Sequence, residues 1–194
     1  MIWDRFRGPG WREELLPDYR AGKTSALEVM IAGYRPLSQP AQEMLDYVRP
    51  QVQVREGFAG LQQLCCSQNW PLRVVSQGLD WYIRAFVPPE IHCYSFIAEL
   101  NGHWQVKLPA GVELRRDQDF KFHVLAQLKR EHAGLPITFI GDGRNDFPIA
   151  RQADRVFAVK GSSLSRLCRE AAVACAEFTS FDEVTRVLRN SAAR

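Results

Sequence analysis

Two aspartates follow directly on a short apolar run in the second half of the chain. The run Pro136–Ile140 leads into Gly141-Asp-Gly-Arg-Asn-Asp146, which places Asp142 and Asp146 four positions apart in one predicted turn. Carboxylates this close suit Mg²⁺, which prefers oxygen ligands and keeps several waters. The two glycines of the turn would let the backbone approach such an ion closely. Either aspartate alone is more simply explained as a cap or turn residue.

Two further positions carry residues that suit an anionic ligand. Ser76-Gln77-Gly78 ends the β-branched run 72–75, and a hydroxyl with backbone N–H groups at a helix start can hold a phosphate. Lys121 opens the predicted helix before the acidic turn, where its charge would neutralise an anion. Taken singly, these are a common strand-to-helix turn and a surface lysine. Their order along the chain, together with the acidic turn, is far more specific.

The helices and strands that must position these residues can be predicted from the periodicity of apolar residues and from the capping and turn residues between them. The first quarter is helical, with a capping box at Ser25–Glu28 and a second cap at Ser38. Beyond residue 55 helices and strands alternate, which predicts an α/β fold with a parallel sheet covered on both faces. The predicted strands are 72–75, 94–100, 103–108, 136–140 and 155–159, the middle two joined at Asn101-Gly102, and the predicted helices include 79–87, 119–132 and 181–188. Ligands bind beyond the carboxyl ends of such strands.

Composition excludes several other classes. The 194 residues carry a net charge of +3 with no clustered basic face, which argues against a nucleic-acid partner. No apolar stretch is long enough to span a bilayer, and charged residues interrupt the N-terminus where a signal peptide would be apolar. The five cysteines show no C-x-x-C spacing, so a zinc site is not expected. We expect a cytoplasmic protein with reduced thiols.

The ordered set resembles the haloacid dehalogenase superfamily of phosphatases, in its phosphoserine-phosphatase-like branch. G-D-G-R-N-D-F-P-I-A followed by A-D-R-V-F-A-V is similar to the fourth motif of that branch and its next strand. V-V-S-Q-G resembles the second motif, and Lys121 lies where the third-motif lysine belongs. Within the branch, the helical N-terminal segment and the spacing look closest to the methionine-salvage phosphatases of 2-hydroxy-3-keto-5-methylthiopentenyl-1-phosphate.

The resemblance implies a fold and a set of roles. The fold would be a Rossmann-like three-layer core with a parallel sheet, residues 55–194 with a β-hairpin near 94–108, and an α-helical cap, residues 1–54. Asp142 would bind Mg²⁺, and Asp146 would support the metal directly or through water. Ser76, Gln77 and Gly78 would hold phosphoryl oxygens, and Lys121 would offset charge on the nucleophile and phosphate. The substrate would be a small phosphorylated metabolite, bound by a monomer or homodimer with no membrane partner.

The family's nucleophile motif is not found in the sequence. The family attacks phosphorus with the first aspartate of D-x-D-x-T, at the end of its first strand. The sole D-x-D here is Asp117-Gln-Asp119, which follows no buried strand and is better explained as loop or helix-cap acids. Asp4 has neither a preceding strand nor the D-x-D spacing, so it is not the nucleophile.

The absence of the motif has a consequence for the sheet. Without the first strand, two interior strand edges would hold unpaired backbone groups, at about 1–3 kcal/mol for each buried group. We therefore expect a chain that starts some tens of residues late rather than a naturally inactive homologue. The DNA upstream of the first codon tests this expectation, because it should encode an apolar strand and D-x-D-x-T.

Several functions remain open at the level of sequence. They are a phosphatase acting on a methylthio-sugar phosphate or on phosphoserine, a phosphotransferase on the same scaffold, and a non-catalytic protein that binds phosphate and metal. Trp11, Tyr19 and Tyr34 of the helical segment either line a substrate pocket or form the core of the cap, and the core is the simpler expectation.

Overall fold

The computed structural model describes residues 2–114 and 119–192, so that Asp117 of the D-x-D sequence lies outside the described residues. Within them, the α-helices are α1 (Ile2–Phe6), α2 (Trp11–Arg20), α3 (Ala26–Tyr34), α4 (Ala41–Val48), α5 (Phe58–Ser67), α6 (Asp80–Ile83), α7 (Phe120–Glu131), α8 (Phe147–Ala150), α9 (Ser163–Glu170) and α10 (Phe181–Ala192). The strands are β1 (Arg73–Leu79), β2 (His92–Asn101), β3 (His103–Lys107), β4 (Thr138–Gly141), β5 (Arg155–Val159) and β6 (Ala176–Phe178).

The strands form two three-stranded sheets, and helical segments connect the parallel neighbours. In the sheet ordered β1-β2-β3, β1 and β2 are parallel and β3 returns antiparallel. In the sheet ordered β4-β5-β6, all neighbours are parallel. Parallel neighbours need a crossover connection rather than a tight hairpin. The predicted α/β class with parallel pairing is confirmed.

The chain forms two compact units. The first comprises Met1–Gln53 and Arg73–Phe120, and the second comprises Val54–Leu72 and Lys121–Arg194. The first boundary between the two units, after Gln53, therefore lies next to residue 54, where the helical cap was predicted to end. The hairpin of β2 and β3, which the sequence analysis assigned to the core, belongs to the first unit. The division into a cap, residues 1–54, and a core, residues 55–194, stays a prediction.

The N-terminal helices confirm one predicted cap and correct the other. The Ser25 hydroxyl accepts the Glu28 N–H at 3.2 Å, and the Glu28 carboxylate accepts the Ser25 N–H at 2.7 Å, as a capping box requires. Ser38 does not cap α4, because that helix begins after Pro40, whose backbone is extended. The residue before a proline is disfavoured in the helical conformation, so α4 cannot begin two residues earlier.

The strand that carries Ser76 is longer than predicted. β1 continues to Leu79, and its register with β2 is interrupted by a bulge between Val75 and Leu79. The helix predicted over 79–87 is the four-residue α6, Asp80–Ile83. Ser76, Gln77 and Gly78 therefore lie within the irregular end of a strand, and the helix that was predicted to follow them directly begins at Asp80. Their binding of phosphate stays a prediction.

The hairpin is confirmed. Asn101 pairs with His103 across Gly102, whose φ of 72° lies in the left-handed region that favours glycine. Trp104 on β3 is buried and its indole N–H donates to the Gln39 carbonyl at 3.0 Å, which attaches the hairpin to the helical segment within the first unit.

The second unit has helices on both faces of its sheet. Side chains alternate across β5, so Phe157 points to one face while Val156 and Ala158 point to the other. Phe157 packs with residues of α5, β6 and α10, and the opposite face packs with residues of α8 and α9. This sandwich is a three-layer arrangement built on the central strand. Of its elements, α8, α9 and β6 were not predicted individually from the sequence.

Two strands, β1 and β4, each pair with a single neighbouring strand. Among the described residues, β1 pairs with β2 alone and β4 pairs with β5 alone. Before Leu79 no residue of β1 is fully buried, and none of β4 is, whereas Val156–Ala158 of the central β5 are buried. β1 carries Ser76 and β4 leads to Asp142. The sequence analysis expects unpaired edges on these two strands.

Two further findings bear on the sequence expectations. No helix in the described ranges is long and apolar enough to cross a bilayer. All five cysteines are free.

Candidate functional site

The acidic turn is organised around Asp146. β4 ends at Gly141, and a short 3₁₀ turn over Arg144–Asp146 leads into α8. Asp146 is 3% exposed, and its Oδ2 accepts the backbone N–H groups of Asp142 at 3.1 Å and Gly143 at 2.8 Å. The carboxylate thus satisfies the donors of the loop that precedes it. The conformation of the loop depends on this one buried side chain.

Lys121 binds the other oxygen of the same carboxylate. It lies in the first turn of α7, and its Nζ donates to Asp146 Oδ1 as an ion pair. The side chains are 17% and 4% exposed, so the pair is largely removed from water. Breaking such a pair by removing one partner is strongly destabilising, because it leaves a buried charge uncompensated. The ion pair therefore joins two residues that lie 25 positions apart in the sequence.

The glycines of the turn make room for Asp146. A Cβ on Gly141 would lie 2.7 Å from Asp146 Oδ2 and 2.9 Å from Phe139 Cε1. A Cβ on Gly143 would lie 3.3 Å from the same oxygen, a tight but less severe contact. Neither glycine has a positive φ. Close approach to the Asp146 carboxylate therefore accounts for them, and the approach to an ion that the sequence suggested stays a prediction.

Asp142 differs from Asp146 in both exposure and bonding. It is exposed, and its backbone carbonyl accepts the Leu164 N–H at 3.1 Å. Within the described residues, no side-chain hydrogen bond engages its carboxylate. That carboxylate is therefore open at the carboxyl end of a parallel strand, where ligands bind in α/β sheets.

The available ligands fit Mg²⁺ better than a metal ion that takes all of its ligands from protein side chains. No group of three or more His, Cys, Asp or Glu side chains that could hold a metal occurs in the part of the chain that the structure describes. Mg²⁺ commonly binds through one or two carboxylates and keeps its remaining waters or takes substrate phosphate oxygens. One open carboxylate at Asp142 satisfies that requirement, whereas both oxygens of Asp146 already accept hydrogen bonds.

Of the residues predicted to bind phosphate, Lys121 belongs to the second compact unit, whereas Ser76, Gln77 and Gly78 belong to the first. The Ser76 hydroxyl accepts the Gly78 N–H at 3.1 Å, and Gln77 Nε2 donates to Asp119 Oδ2 at 2.7 Å. Asp119 was interpreted from the sequence as a loop or cap acid. Its contact with Gln77 spans 42 positions, and no local pattern could have indicated it.

Tyr82 is a second residue at this strand end that the sequence analysis missed. A Cβ on Gly78 would lie 2.1 Å from the Tyr82 hydroxyl oxygen. Any side chain at position 78 would therefore clash with Tyr82, so this position of the strand requires glycine. Burial raises the pKa of the Tyr82 hydroxyl. Gly78 thus has a packing reason for its identity that is independent of any ligand.

Asp4 has structural partners. Its Oδ1 accepts the Trp11 indole N–H at 3.0 Å and a hydrogen bond from Arg12, whose second N–H reaches Oδ2 at 3.1 Å. The Arg12 hydrogen bonds hold the pKa of the Asp4 carboxyl well below its usual range. These contacts agree with its rejection as the nucleophile from sequence.

The structure therefore brings Lys121, Asp142 and Asp146 together in the second unit. Ser76, Gln77 and Gly78 lie together in the first.

Comparison with known proteins identifies the family. The sequence profile of the haloacid dehalogenase-like hydrolases matches residues 4–151. The chain belongs to this family of hydrolases. The resemblance predicted from the order of Ser76, Lys121 and the acidic turn is confirmed.

Relatives within the family carry more than one name. The chain is 24% identical over 160 residues to Pdp3-interacting factor 1 of Schizosaccharomyces pombe, covering 76% of this chain and 68% of that protein. It is 24% identical over 163 residues to a 2-hydroxy-3-keto-5-methylthiopentenyl-1-phosphate phosphatase of Exiguobacterium sibiricum, covering 79% and 72%. It is 22% identical over 187 residues to a polyol phosphate phosphatase of Saccharomyces cerevisiae, covering 89% and 76%.

Solved structures support the fold. A phosphoserine phosphatase, determined as an analogue of its phospho-aspartyl intermediate, superposes with a TM-score of 0.65 at 15% identity. The match covers 90% of this chain and 83% of that one. At this identity the similarity establishes the Rossmann-like fold and says nothing of the substrate.

Proposed function

We propose that this protein is a Mg²⁺-dependent phosphatase of small phosphorylated metabolites, with an aspartyl-phosphate mechanism. Its family membership and the phosphatase names of its relatives support the reaction class. The single observation that carries the proposal is the buried Asp146 carboxylate, which fixes the Asp142 loop and binds Lys121. The Lys121 ammonium and the loop that carries the open Asp142 carboxylate are thereby held by the same residue.

In this proposal Lys121 and Asp146 act as a pair. Phosphoryl transfer is accelerated mainly by positioning and by electrostatic stabilisation of the transferring group. Asp146 orients the lysine and shields part of its charge. The Lys121 ammonium has three donors, one of which binds Asp146, and in this proposal it donates to a phosphoryl or nucleophile oxygen when the ligand binds.

Asp142 is the residue proposed to hold Mg²⁺ directly. Asp146 contributes by fixing the Asp142 backbone, or through a water, since its own oxygens are engaged. When bound, the ion would neutralise charge on the phosphoryl oxygens. The open position of Asp142 leaves room for the waters that Mg²⁺ retains.

Ser76 is proposed to bind the phosphate through its hydroxyl proton. Its oxygen accepts the Gly78 N–H, which leaves the O–H free to rotate toward a phosphoryl oxygen. Gln77 and Gly78 shape this strand end through Asp119 and Tyr82. We propose that backbone N–H groups here assist Ser76, although Gly78 already donates to its hydroxyl.

The proposal predicts little turnover by residues 1–194 alone, because D-x-D-x-T does not occur in this sequence. That same observation favours a second candidate function, a non-catalytic protein that binds phosphate and metal. The two differ in one respect. A phosphatase scaffold gains turnover when a nucleophile is supplied, whereas a binding protein does not.

The test compares the chain with a variant in which an apolar strand ending in D-x-D-x-T precedes Met1. Hydrolysis of p-nitrophenyl phosphate should be negligible for the chain, appear in the extended variant with Mg²⁺, and fall by at least about 100-fold with Asp142→Ala or Lys121→Ala. A folded extended variant that binds inorganic phosphate without turnover would favour the binding protein. Transfer of the phosphoryl group to an added alcohol rather than water would indicate a phosphotransferase.

A further inference from the structure

A cavity of about 470 Å³ lies within the first compact unit. Its walls come from the N-terminal helices, β1 and the segment that follows β1. Cavities of this size accommodate small-molecule ligands. The side chains that line it belong to Ile2, Trp3, Trp11, Met30, Tyr34, Val48, Val52, Val74, Ser76, Tyr82, Ile83, Phe86 and Val87.

The walls are almost entirely apolar. Aliphatic and aromatic residues supply most of them, and none of the described residues that line the cavity is charged. Among these described residues, Ser76, two tyrosines and two tryptophans contribute the polar side-chain groups. One of these is already used, because the Trp11 indole N–H donates to Asp4. A ligand rich in hydroxyl groups would leave most of them without partners here, and an unpaired buried polar group is costly.

The aromatic part of the wall is held in place before any ligand binds. The Trp3 ring packs edge-on against Trp11, with centroids 4.9 Å apart, and against Tyr34 at 5.5 Å. The Arg12 guanidinium lies over the Trp11 ring, 4.4 Å from its centroid. A preformed wall reduces the ordering cost of binding. Of the aromatics predicted from sequence to line either a pocket or a core, Trp11 and Tyr34 line this cavity.

Ser76 connects the cavity to the proposed phosphate site. It is the one residue that both lines the cavity and is a candidate to bind a phosphoryl oxygen. A phosphate bound at Ser76 would direct the group it esterifies along this apolar wall.

We propose that the cavity selects the organic part of the substrate and that this part is apolar. The preferred ligands are monophosphate esters of aliphatic or other hydrophobic alcohols, in preference to polyol phosphates and to phosphoserine. This inference rests on the proposed phosphate-binding function of Ser76 and adds the substrate class to it.

The experiment measures binding, since binding does not require the nucleophile. Dissociation constants of the full chain with Mg²⁺ are determined by calorimetry for inorganic phosphate, for ethyl, butyl and hexyl phosphate, and for glycerol 1-phosphate and phosphoserine. Each added methylene should strengthen binding up to about fourfold, equivalent to about 0.8 kcal/mol. Glycerol phosphate and phosphoserine should bind no more tightly than inorganic phosphate.

A pair of matched variants tests whether the cavity causes the trend. Val52 lines the cavity and is half-buried, whereas Val54 is 48% exposed and does not line it. Val52→Gln should weaken hexyl phosphate binding by about fivefold or more, through loss of apolar contact, and leave inorganic phosphate binding unchanged. Val54→Gln should change neither.

The outcomes separate this inference from the function on which it rests. If inorganic phosphate binds but chain length has no effect, or if Val52→Gln and Val54→Gln behave alike, the apolar selection is wrong and the phosphate site stands. If no phosphate compound binds to the folded chain, the proposed function itself is overturned. If hexanol binds as tightly as hexyl phosphate, the cavity is an apolar site unconnected to phosphate, and the inference fails.

Discussion

The acidic turn after β4 and the end of β1 that carries Ser76 are both predicted to bind a ligand, yet they are built differently. In the turn, a single buried carboxylate at Asp146 binds two backbone N–H groups three and four residues before it. At the Ser76 end, a bulged strand is fixed by the Tyr82 ring and by Asp119. The first is mostly a local structure, and the second depends on contacts that the local sequence does not encode.

This difference separates residues proposed to act on the ligand from residues that hold the loop. Asp142 and Asp146 have the same side chain in the same turn, but one is exposed and open while the other is buried and engaged. Residue type therefore identified the pair, and burial is the basis on which we propose different roles for its members. The same distinction at the Ser76 end falls between Ser76, which lines a cavity, and Gly78, which accommodates a ring.

The largest expected effect is that of Asp146→Asn. The amide can still accept the loop N–H groups but cannot compensate the Lys121 charge, so the free energy of unfolding should fall by about 3 kcal/mol. Chemical denaturation measures it. Lys121→Met in the Asp146→Asn background should recover part of the loss, because the uncompensated charge is removed. Equal stability of Asp146→Asn and the parent chain would contradict the central role of this carboxylate.

Gly78→Ala should have the next largest effect, and it tests the Ser76 end. The new methyl group would collide with the buried Tyr82 hydroxyl, which should lower the free energy of unfolding by about 2 kcal/mol. Tyr82→Phe in the same chain should relieve part of this cost, because the atom nearest to the added Cβ is removed. Thermal unfolding of the single and double variants gives the coupling. Additive effects would show that the ring does not constrain Gly78.

Gly141→Ala and Gly143→Ala form a graded pair in the acidic turn. The added Cβ meets Asp146 Oδ2 at 2.7 Å in the first case and at 3.3 Å in the second. We expect a loss of about 1–2 kcal/mol for Gly141→Ala and less than about 0.5 kcal/mol for Gly143→Ala. Denaturant midpoints measured under one condition rank the two. The reverse ranking would show that the glycines serve some purpose other than space for Asp146.

Asp142→Asn should have the smallest effect on stability. Its carboxylate is exposed, so the free energy of unfolding should change by no more than about 0.5 kcal/mol. Mg²⁺ affinity, measured by calorimetry in the presence of inorganic phosphate, should nevertheless fall at least about tenfold, because the charged ligand is lost. Unchanged Mg²⁺ binding in this variant would remove Asp142 from the proposed metal site.

Much of the fold was predictable because its signals are local. The capping box at Ser25, the hairpin at Asn101-Gly102 and the strand Arg155–Val159 were each placed correctly from residue type and spacing. The strand β6, of three residues with two exposed, carries too little pattern to be recognised alone. The end of β1 was misplaced because Ser76-Gln77-Gly78 has the composition of a turn, whereas pairing with β2 extends the strand to Leu79.

The sequence by itself determined the class of fold, the family and the set of charged and hydroxyl residues that could bind a phosphate and a metal ion. It did so because turn glycines, caps and strand periodicity act over a few residues, and because the order of motifs is a property of the chain. The tertiary structure alone decided which aspartate is buried, that Lys121 binds it, and that Ser76 faces an apolar cavity. Burial and ion pairing depend on residues distant in the chain, so no local pattern could specify them.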